Sequence, residues 1–213
     1  VRSMVGCIKY LAEGKWKLDE FKKAFISKKR SNCAPPAPPC GLYLTKISYW
    51  LFRVLLQNSI YDSFLIFAPN INAYRRFQPN QFVPVNNSWG PNNRSVAFRV
   101  PRSEKDSRRI EHRIAGAEAN SYLVLAAILA GIHLGLVNKM KPSKFRIDNA
   151  CTDLDPAMPM SIEKSIELFE SSNFCKDYLT SEYVKLYSDL KRKEQESFHS
   201  EISDLEYKWY LNL

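Results

Sequence analysis

Residues 108–116, RRIEHRIAG, place one acidic side chain among three arginines. The acid is Glu111, with His112 beside it. Arginine binds phosphate and carboxylate groups through its planar, bidentate guanidinium. A glutamate among such arginines can hold a divalent cation, which offsets phosphate charge further. The residue types therefore suit a site for phosphate and metal, but also a surface cluster of ion pairs or a patch that binds nucleic acid.

Two strands are expected to position these charges. Residues 95–101 and 109–114 alternate between apolar and polar side chains, and successive strand residues point to opposite faces of a sheet. The segment between them has the length of a long hairpin loop. If the apolar faces coincide, the polar face carries Arg99, Arg109, Glu111 and Arg113. Arg94 lies just before the first strand, within reach of that face.

The predicted face carries more positive than negative charge. Buried arginines need partners, because removing an unpaired charge from water is costly. An anionic ligand would supply the missing partner. The whole chain has a net charge of +9, which favours anionic partners without naming one. Nucleic acids, phosphorylated small molecules and acidic lipids all fit this criterion.

The surrounding elements predict a mixed α and β structure. Residues 63–68, SFLIFA, are interpreted as a buried strand, and residues 79–93 as a loop rich in turns. Residues 120–136 predict a buried core helix, capped by Asn120 or Ser121. Amphipathic helices are expected from residue 161 onward.

The first 60 residues have a different character. Residues 3–13 predict a short helix, whereas residues 14–60 are in turn basic, proline-rich and apolar. The apolar stretch 42–56 contains Lys46 and Arg53 and is too short for a membrane span. We therefore interpret residues 14–60 as a surface insertion and expect no membrane partner.

Cysteine use indicates a reducing compartment. The five cysteines are an odd number, widely spaced, and none has the spacing of a zinc site. No signal peptide pattern is visible at the start of the chain. These observations predict a cytoplasmic protein.

Three ordered stretches resemble a known family. FAPNINAYRRFQP, WGPNNRSVAFRVP and RRIEHRIAGAEANSYLVLAAILAGIHLGL are similar to the C-terminal half of the glutamine synthetase catalytic domain. Within that family, the residues of these stretches are most similar to those of the γ-glutamylpolyamine (glutamate–putrescine) ligases. The resemblance implies an α+β fold in which a curved antiparallel sheet is backed by helices. It also implies a homo-oligomer.

The resemblance divides the chain into three parts. Residues 1–13 are similar to a helix of the catalytic domain, and residues 61–213 to its C-terminal half. Residues 14–60 resemble neither side, so they are expected to be an insertion that is foreign to the family.

The resemblance also assigns roles to residues that match the family's motifs. Arg76 and Arg113 would bind the substrate glutamate, and Arg94 would stabilise the transferred phosphoryl group of ATP. Arg99 and Arg109 would contact the phosphates of ATP, and Glu111 would be a ligand of Mg²⁺ or Mn²⁺. The implied reaction phosphorylates the γ-carboxylate of glutamate with ATP, after which ammonia or a polyamine displaces phosphate.

Parts of the family pattern are missing. The family's other metal carboxylates, its metal histidine and its glycine-rich glutamate-contact loop are not found in the sequence. We therefore expect the chain to be inactive by itself. Two alternatives stay open, namely a non-catalytic relative with a scaffold role and a basic nucleic-acid-binding module. No recognised nucleic-acid motif is present, so no nucleic-acid partner is expected.

Overall fold

The computed structural model describes residues 7, 10, 14–27, 30–33, 59–104 and 109–211. The chain forms two compact units, residues 1–44 and residues 45–213. In the first unit, helix α1 spans Leu18–Ile26, and a 3-10 turn spans Arg30–Asn32. The predicted helix 3–13 and the segments 33–40 and 42–56 lie almost entirely outside the described residues.

The second unit contains the predicted site. Its described helices are α2 (Phe64–Phe67), α3 (Ile71–Tyr74), α4 (Ser121–Val137), α5 (Ile162–Ser171), α6 (Asn173–Leu179), α7 (Ser181–Ser200) and α8 (Asp204–Tyr210). Its described strands are β1 (Trp89–Pro91), β2 (Phe98–Val100) and β3 (Glu111–His112). The α+β class, with a small sheet backed by helices, is confirmed.

The sheet has the order β1-β2-β3, with β2 in the middle. Strands β2 and β3 are antiparallel, with Phe98 opposite His112. Strand β1 runs parallel to β2. The sheet is therefore mixed in this part, whereas an antiparallel sheet had been expected. Residues 89–91 had been predicted as part of a loop, because a three-residue strand that contains Gly90 and Pro91 shows no alternation of polar and apolar side chains.

The prediction of a strand at residues 63–68 is wrong. Residues Phe64–Phe67 form helix α2, and all four side chains are buried. A short apolar run is compatible with a buried strand or a buried helix turn, and its periodicity cannot separate the two. The expected burial is correct, while the backbone conformation is not.

Helix α4 begins where it was expected. The side chain of Asn120 accepts hydrogen bonds from the backbone N–H groups of Tyr122 and Leu123, as an N-cap does. The helix has one buried face, formed mainly by alanines and glycines, but Tyr122 and Val137 are each 63% exposed. It is therefore a one-sided core helix and not a fully buried one. Within the described residues, no helix has the length and apolarity needed to cross a membrane.

The C-terminal helices are amphipathic in part, as predicted. Ser161 caps α5, whose inner face buries Ile166 and Phe169 in the core. Helix α8 differs, because its capping box of Ser203 and Glu206 is well formed but none of its residues is buried.

Candidate functional site

Glu111 is held between two arginines on one face of the sheet. The register pairs Arg99 on β2 with Glu111 on β3, and Arg99 Nη1 lies 2.8 Å from Glu111 Oε2. Arg113 Nε lies 3.4 Å from Glu111 Oε1. Burial opposes ionisation of Glu111, but the hydrogen bond from Arg99 and the charge of Arg113 outweigh it and lower the pKa of this carboxyl. The site therefore contains an ionised glutamate that bridges two cations.

His112 lies on the opposite face of β3 and is not part of this cluster. Its ring packs between Phe67 and Phe98, with centroid distances of 4.4 and 5.0 Å. Burial, assisted by the positive charge of Arg76, lowers the pKa of His112 to about 4. Its Nδ1 accepts a hydrogen bond from the N–H of Ala115 at 3.3 Å. The imidazole is thus neutral and forms part of the apolar wall behind Glu111.

Arg76 has buried polar groups that find no partner in the described part of the chain. It directly precedes Phe77, and its guanidinium lies 4.4 Å from that ring's centroid. Its Nε and Nη2 atoms are buried and make no hydrogen bond to any residue that the structure describes, and the same holds for Arg99 Nε. The pKa of Arg76 is lowered, mainly by burial and also by the charge of Arg113, while the nearby carboxylate of Glu118 acts in the opposite direction. Buried donors without partners are costly, so these N–H groups are suited to an anion that enters the site.

Arg94 lies in the six-residue connection between β1 and β2, and its two neighbours hold that connection in place. Asn93 Nδ2 donates to the carbonyl oxygens of Asp148 at 2.9 Å and Arg146 at 3.2 Å. Asn93 Oδ1 accepts from the backbone N–H of Ser95 at 2.9 Å and from its hydroxyl at 2.6 Å. Arg94 itself is exposed. The connection thus carries an exposed arginine on a backbone that Asn93 and Ser95 hold in place.

Two contributors to the cluster were not foreseen from the sequence. Asn92 Oδ1 accepts a hydrogen bond from Arg99 Nη2 at 2.8 Å, and the carbonyl oxygen of Phe82 accepts one from Arg113 Nη2 at 3.0 Å. Both residues have left-handed backbones, with φ of 49° at Asn92 and 51° at Phe82. The Asn-Asn pair was a turn signal that could have indicated Asn92. Nothing in the local sequence indicated Phe82.

The structure brings together only part of the predicted set. Arg99, Glu111 and Arg113 are in direct contact. Arg109 precedes β3 and is exposed, as Arg94 is. The roles assigned to all of these residues, and to Arg76, stay predictions.

A divalent metal would need more ligands than this cluster offers. Among the residues that the structure describes, no three His, Cys, Asp or Glu side chains are grouped so that they could hold a metal ion. Glu111 is a single carboxylate, and both of its oxygens face arginines. Mg²⁺ requires six oxygen ligands in near-octahedral geometry. The described residues therefore do not fit a metal by themselves.

The fold places a cluster of arginines around one carboxylate on a small sheet that is backed by helices. A family model described as "Glutamine synthetase, catalytic domain" matches residues 56–210. The chain therefore belongs to the glutamine synthetase catalytic domain family, as its motifs predicted. A second model, described as tRNA pseudouridine synthase, matches residues 1–50, which lie outside the site. The assignment of residues 1–13 and 14–60 stays a prediction.

Several relatives act on different amines, as their names state. The chain is 39% identical over 152 residues to a gamma-glutamylputrescine synthetase of Escherichia coli, covering 70% of this chain and 32% of the relative. It is 34% identical over 143 residues to a gamma-glutamylethanolamide synthetase of Streptomyces coelicolor, covering 67% of this chain and 30% of the relative. A glutamate–isopropylamine ligase of a Pseudomonas species is 34% identical over 152 residues, covering 70% and 33%. The chain thus spans about a third of the length of these relatives.

A solved structure agrees at the level of fold. The chain superposes on a structure described as a GmaS/ADP complex with a TM-score of 0.65 at 20% sequence identity. The match covers 81% of this chain and 42% of that one.

Proposed function

We propose that this chain is part of an ATP-dependent ligase that joins the γ-carboxylate of glutamate to ammonia or an organic amine, including polyamines. The observation that carries the proposal is the surplus of guanidinium groups around one carboxylate, with buried N–H groups of Arg76 and Arg99 that have no partner among the residues described. The names of the relatives support the choice of glutamate and an amine as substrates.

The surplus positive charge suits two anionic substrates, glutamate and ATP. Each buried donor without a partner costs about 1–3 kcal/mol, which a bound carboxylate or phosphate would recover. In this proposal Arg76 and Arg113 bind glutamate. The phosphate chain of ATP is bound by Arg94, Arg99 and Arg109.

The proposed chemistry has two steps. A γ-carboxylate oxygen of glutamate attacks the γ-phosphorus of ATP, and ADP leaves with the electrons of the broken P–O bond. The amine nitrogen then attacks the acyl carbon, loses a proton, and expels inorganic phosphate. Arginines that are already in place stabilise the charge on the transferred oxygens, so no serine or cysteine nucleophile is required.

The metal sets a condition on turnover. We assign Glu111 as one ligand of Mg²⁺ or Mn²⁺, but the described residues contain no group of three side chains that could hold the ion. The 213-residue chain is therefore expected to bind substrates and to turn them over little or not at all by itself. A cytoplasmic homo-oligomer without nucleic-acid or membrane partners is part of the same proposal.

Binding to the chain itself provides the test, and the chain offers a matched control. Arg75 and Arg76 are neighbours, but Arg75 is exposed, whereas Arg76 carries buried nitrogens that lack a partner within the described ranges. Arg76→Ala should weaken glutamate binding at least tenfold in calorimetric titrations with ADP present, while Arg75→Ala should change it less than about twofold. Equal effects of the two substitutions, or no glutamate binding by the unaltered chain, would contradict the proposal.

A non-catalytic scaffold role is the second candidate, favoured by the incomplete metal ligands among the described residues. The two candidates differ in phosphate release. A ligase carrying a complete metal site should release phosphate when given glutamate, ATP and ammonia, putrescine or spermidine. A scaffold should release none with any of these amines.

A further inference from the structure

Phe82 presents an exposed aromatic side chain at the edge of the arginine cluster. The residue is 64% exposed, although its carbonyl oxygen accepts a hydrogen bond from Arg113 Nη2 at 3.0 Å. Its backbone is therefore part of the site while its ring faces solvent. Many other large apolar side chains of the chain are exposed, so what sets Phe82 apart is its direct bond to Arg113 and not its exposure alone.

The backbone at Phe82 adopts a conformation that bulky residues seldom accept. Its φ is 51°, in the left-handed region, where a residue with a large side chain is strained. The loop around it is fastened by Cys151 on both sides. The N–H of Asn80 donates to the carbonyl of Cys151 at 3.2 Å, and Cys151 Sγ donates to the carbonyl of Val83 at 3.6 Å. Strain that the surroundings maintain is typical of ligand clamps and binding sites.

An aromatic ring at this place has a definite chemical use. A ring face attracts an ammonium group by a cation–π interaction, and its apolar surface accepts methylene groups. The arginines nearby repel cations, and a carboxylate added to attract an amine would compete for those arginines. A neutral aromatic ring attracts an organic cation without neutralising the arginines that the anionic substrates need.

We propose that Phe82 lines the subsite for the acceptor amine and selects primary alkylamines over ammonia. The inference rests on the proposed ligase function, since it assumes that an amine acceptor enters beside Arg113. Ammonia has no methylene groups to place on the ring, whereas an alkylamine has both a cation and an alkyl chain. Phe82 is thus a specificity residue, and the first step, which involves glutamate and ATP, does not depend on it.

The test follows the Phe82 ring directly and needs no turnover. The chain is labelled with 4-fluorophenylalanine, and the ¹⁹F signal that disappears in Phe82→Leu identifies the residue. Butylamine or ammonium chloride is then titrated with glutamate and ADP present. The Phe82 signal should shift saturably with butylamine and stay unchanged with ammonium. Phe82→Ala should raise the Kd for butylamine about tenfold, and Phe82→Tyr should keep it within about twofold.

An exposed phenylalanine elsewhere serves as the matched control. Phe198 on α7 is 46% exposed, and Phe198→Ala should leave the butylamine Kd unchanged. A Phe82 signal that does not move with butylamine while glutamate is bound, or that moves equally with ammonium, overturns the inference and leaves the ligase proposal standing. If glutamate itself does not bind, the ligase proposal and this inference both fall.

Discussion

His112 should make the stability of the fold depend on pH in a predictable direction. Burial lowers its pKa from 6.5 to about 4. Between these two pH values, the imidazole binds a proton in the unfolded chain but not in the folded chain. Its stabilising contribution is therefore fully present above pH 6.5 and is lost as the pH falls toward 4. With these two pKa values, the loss between about pH 7 and about pH 5 is roughly 2 kcal/mol.

The matched variant is His112→Asn, which removes the titration but keeps an acceptor for the N–H of Ala115. Urea unfolding, followed by tryptophan fluorescence, gives the free energy of unfolding of both proteins at the two pH values. Carboxyl groups also titrate in this range, but they affect both proteins equally and cancel in the difference. The unaltered chain should lose about 2 kcal/mol more than the variant. A parallel loss in both proteins would refute the placement of a neutral, desolvated imidazole behind Glu111.

Two further predictions concern packing. Gly90→Ala should lower the free energy of unfolding by about 3 kcal/mol in urea titrations, because the new Cβ would lie 2.1 Å from the backbone oxygen of Arg146. Gly116→Ala should cost less than about 1 kcal/mol, because the side-chain carboxylate of Glu118, 2.3 Å away, can move; equal costs would contradict this distinction. The thiol of Cys175 is buried and burial raises its pKa to about 12, so iodoacetamide at about pH 8 should label it only as the protein unfolds. Labelling at the rate of a free small thiol, measured by mass spectrometry, would show that this thiol is accessible.

The contact among Arg99, Glu111 and Arg113 agrees with what alternation along two strands indicated. Period-two alternation follows directly from strand geometry, and the register of β2 and β3 then brings opposite charges together. Asn92 and Phe82 lay beyond this reasoning, since both reach the cluster through left-handed loop backbones. Such conformations depend on distant contacts, as the bonds of Cys151 around Phe82 illustrate.

The fold was predictable to the extent that local signals were distinct. The start of α4 was predictable to within one residue, at Asn120 or Ser121, because a polar cap before a long apolar run is a strong signal, and Asn120 is the cap. The apolar run at 63–68 contains no polar residue between Phe64 and Ala68 that would reveal its periodicity, and it forms a helix instead of the predicted strand. Strand β1 depends on its parallel neighbour β2, which no local pattern in residues 89–91 could indicate. Family membership was predictable because ordered motifs carry information that single elements lack.

The short connection from β1 to β2 has a consequence for how this site can vary. Parallel strands are usually joined by a dozen or more residues, yet here six residues lead from Pro91 back to Phe98. The N–H of Asn92 donates a hydrogen bond to the carbonyl of Val100 at 2.7 Å, which fixes the start of the connection against the end of β2. An insertion or deletion here would shift the strand pairing and Arg94 at the same time. A change of length at this point cannot alter the site without also altering the sheet, whereas a substitution can, so we expect the site to vary by substitution.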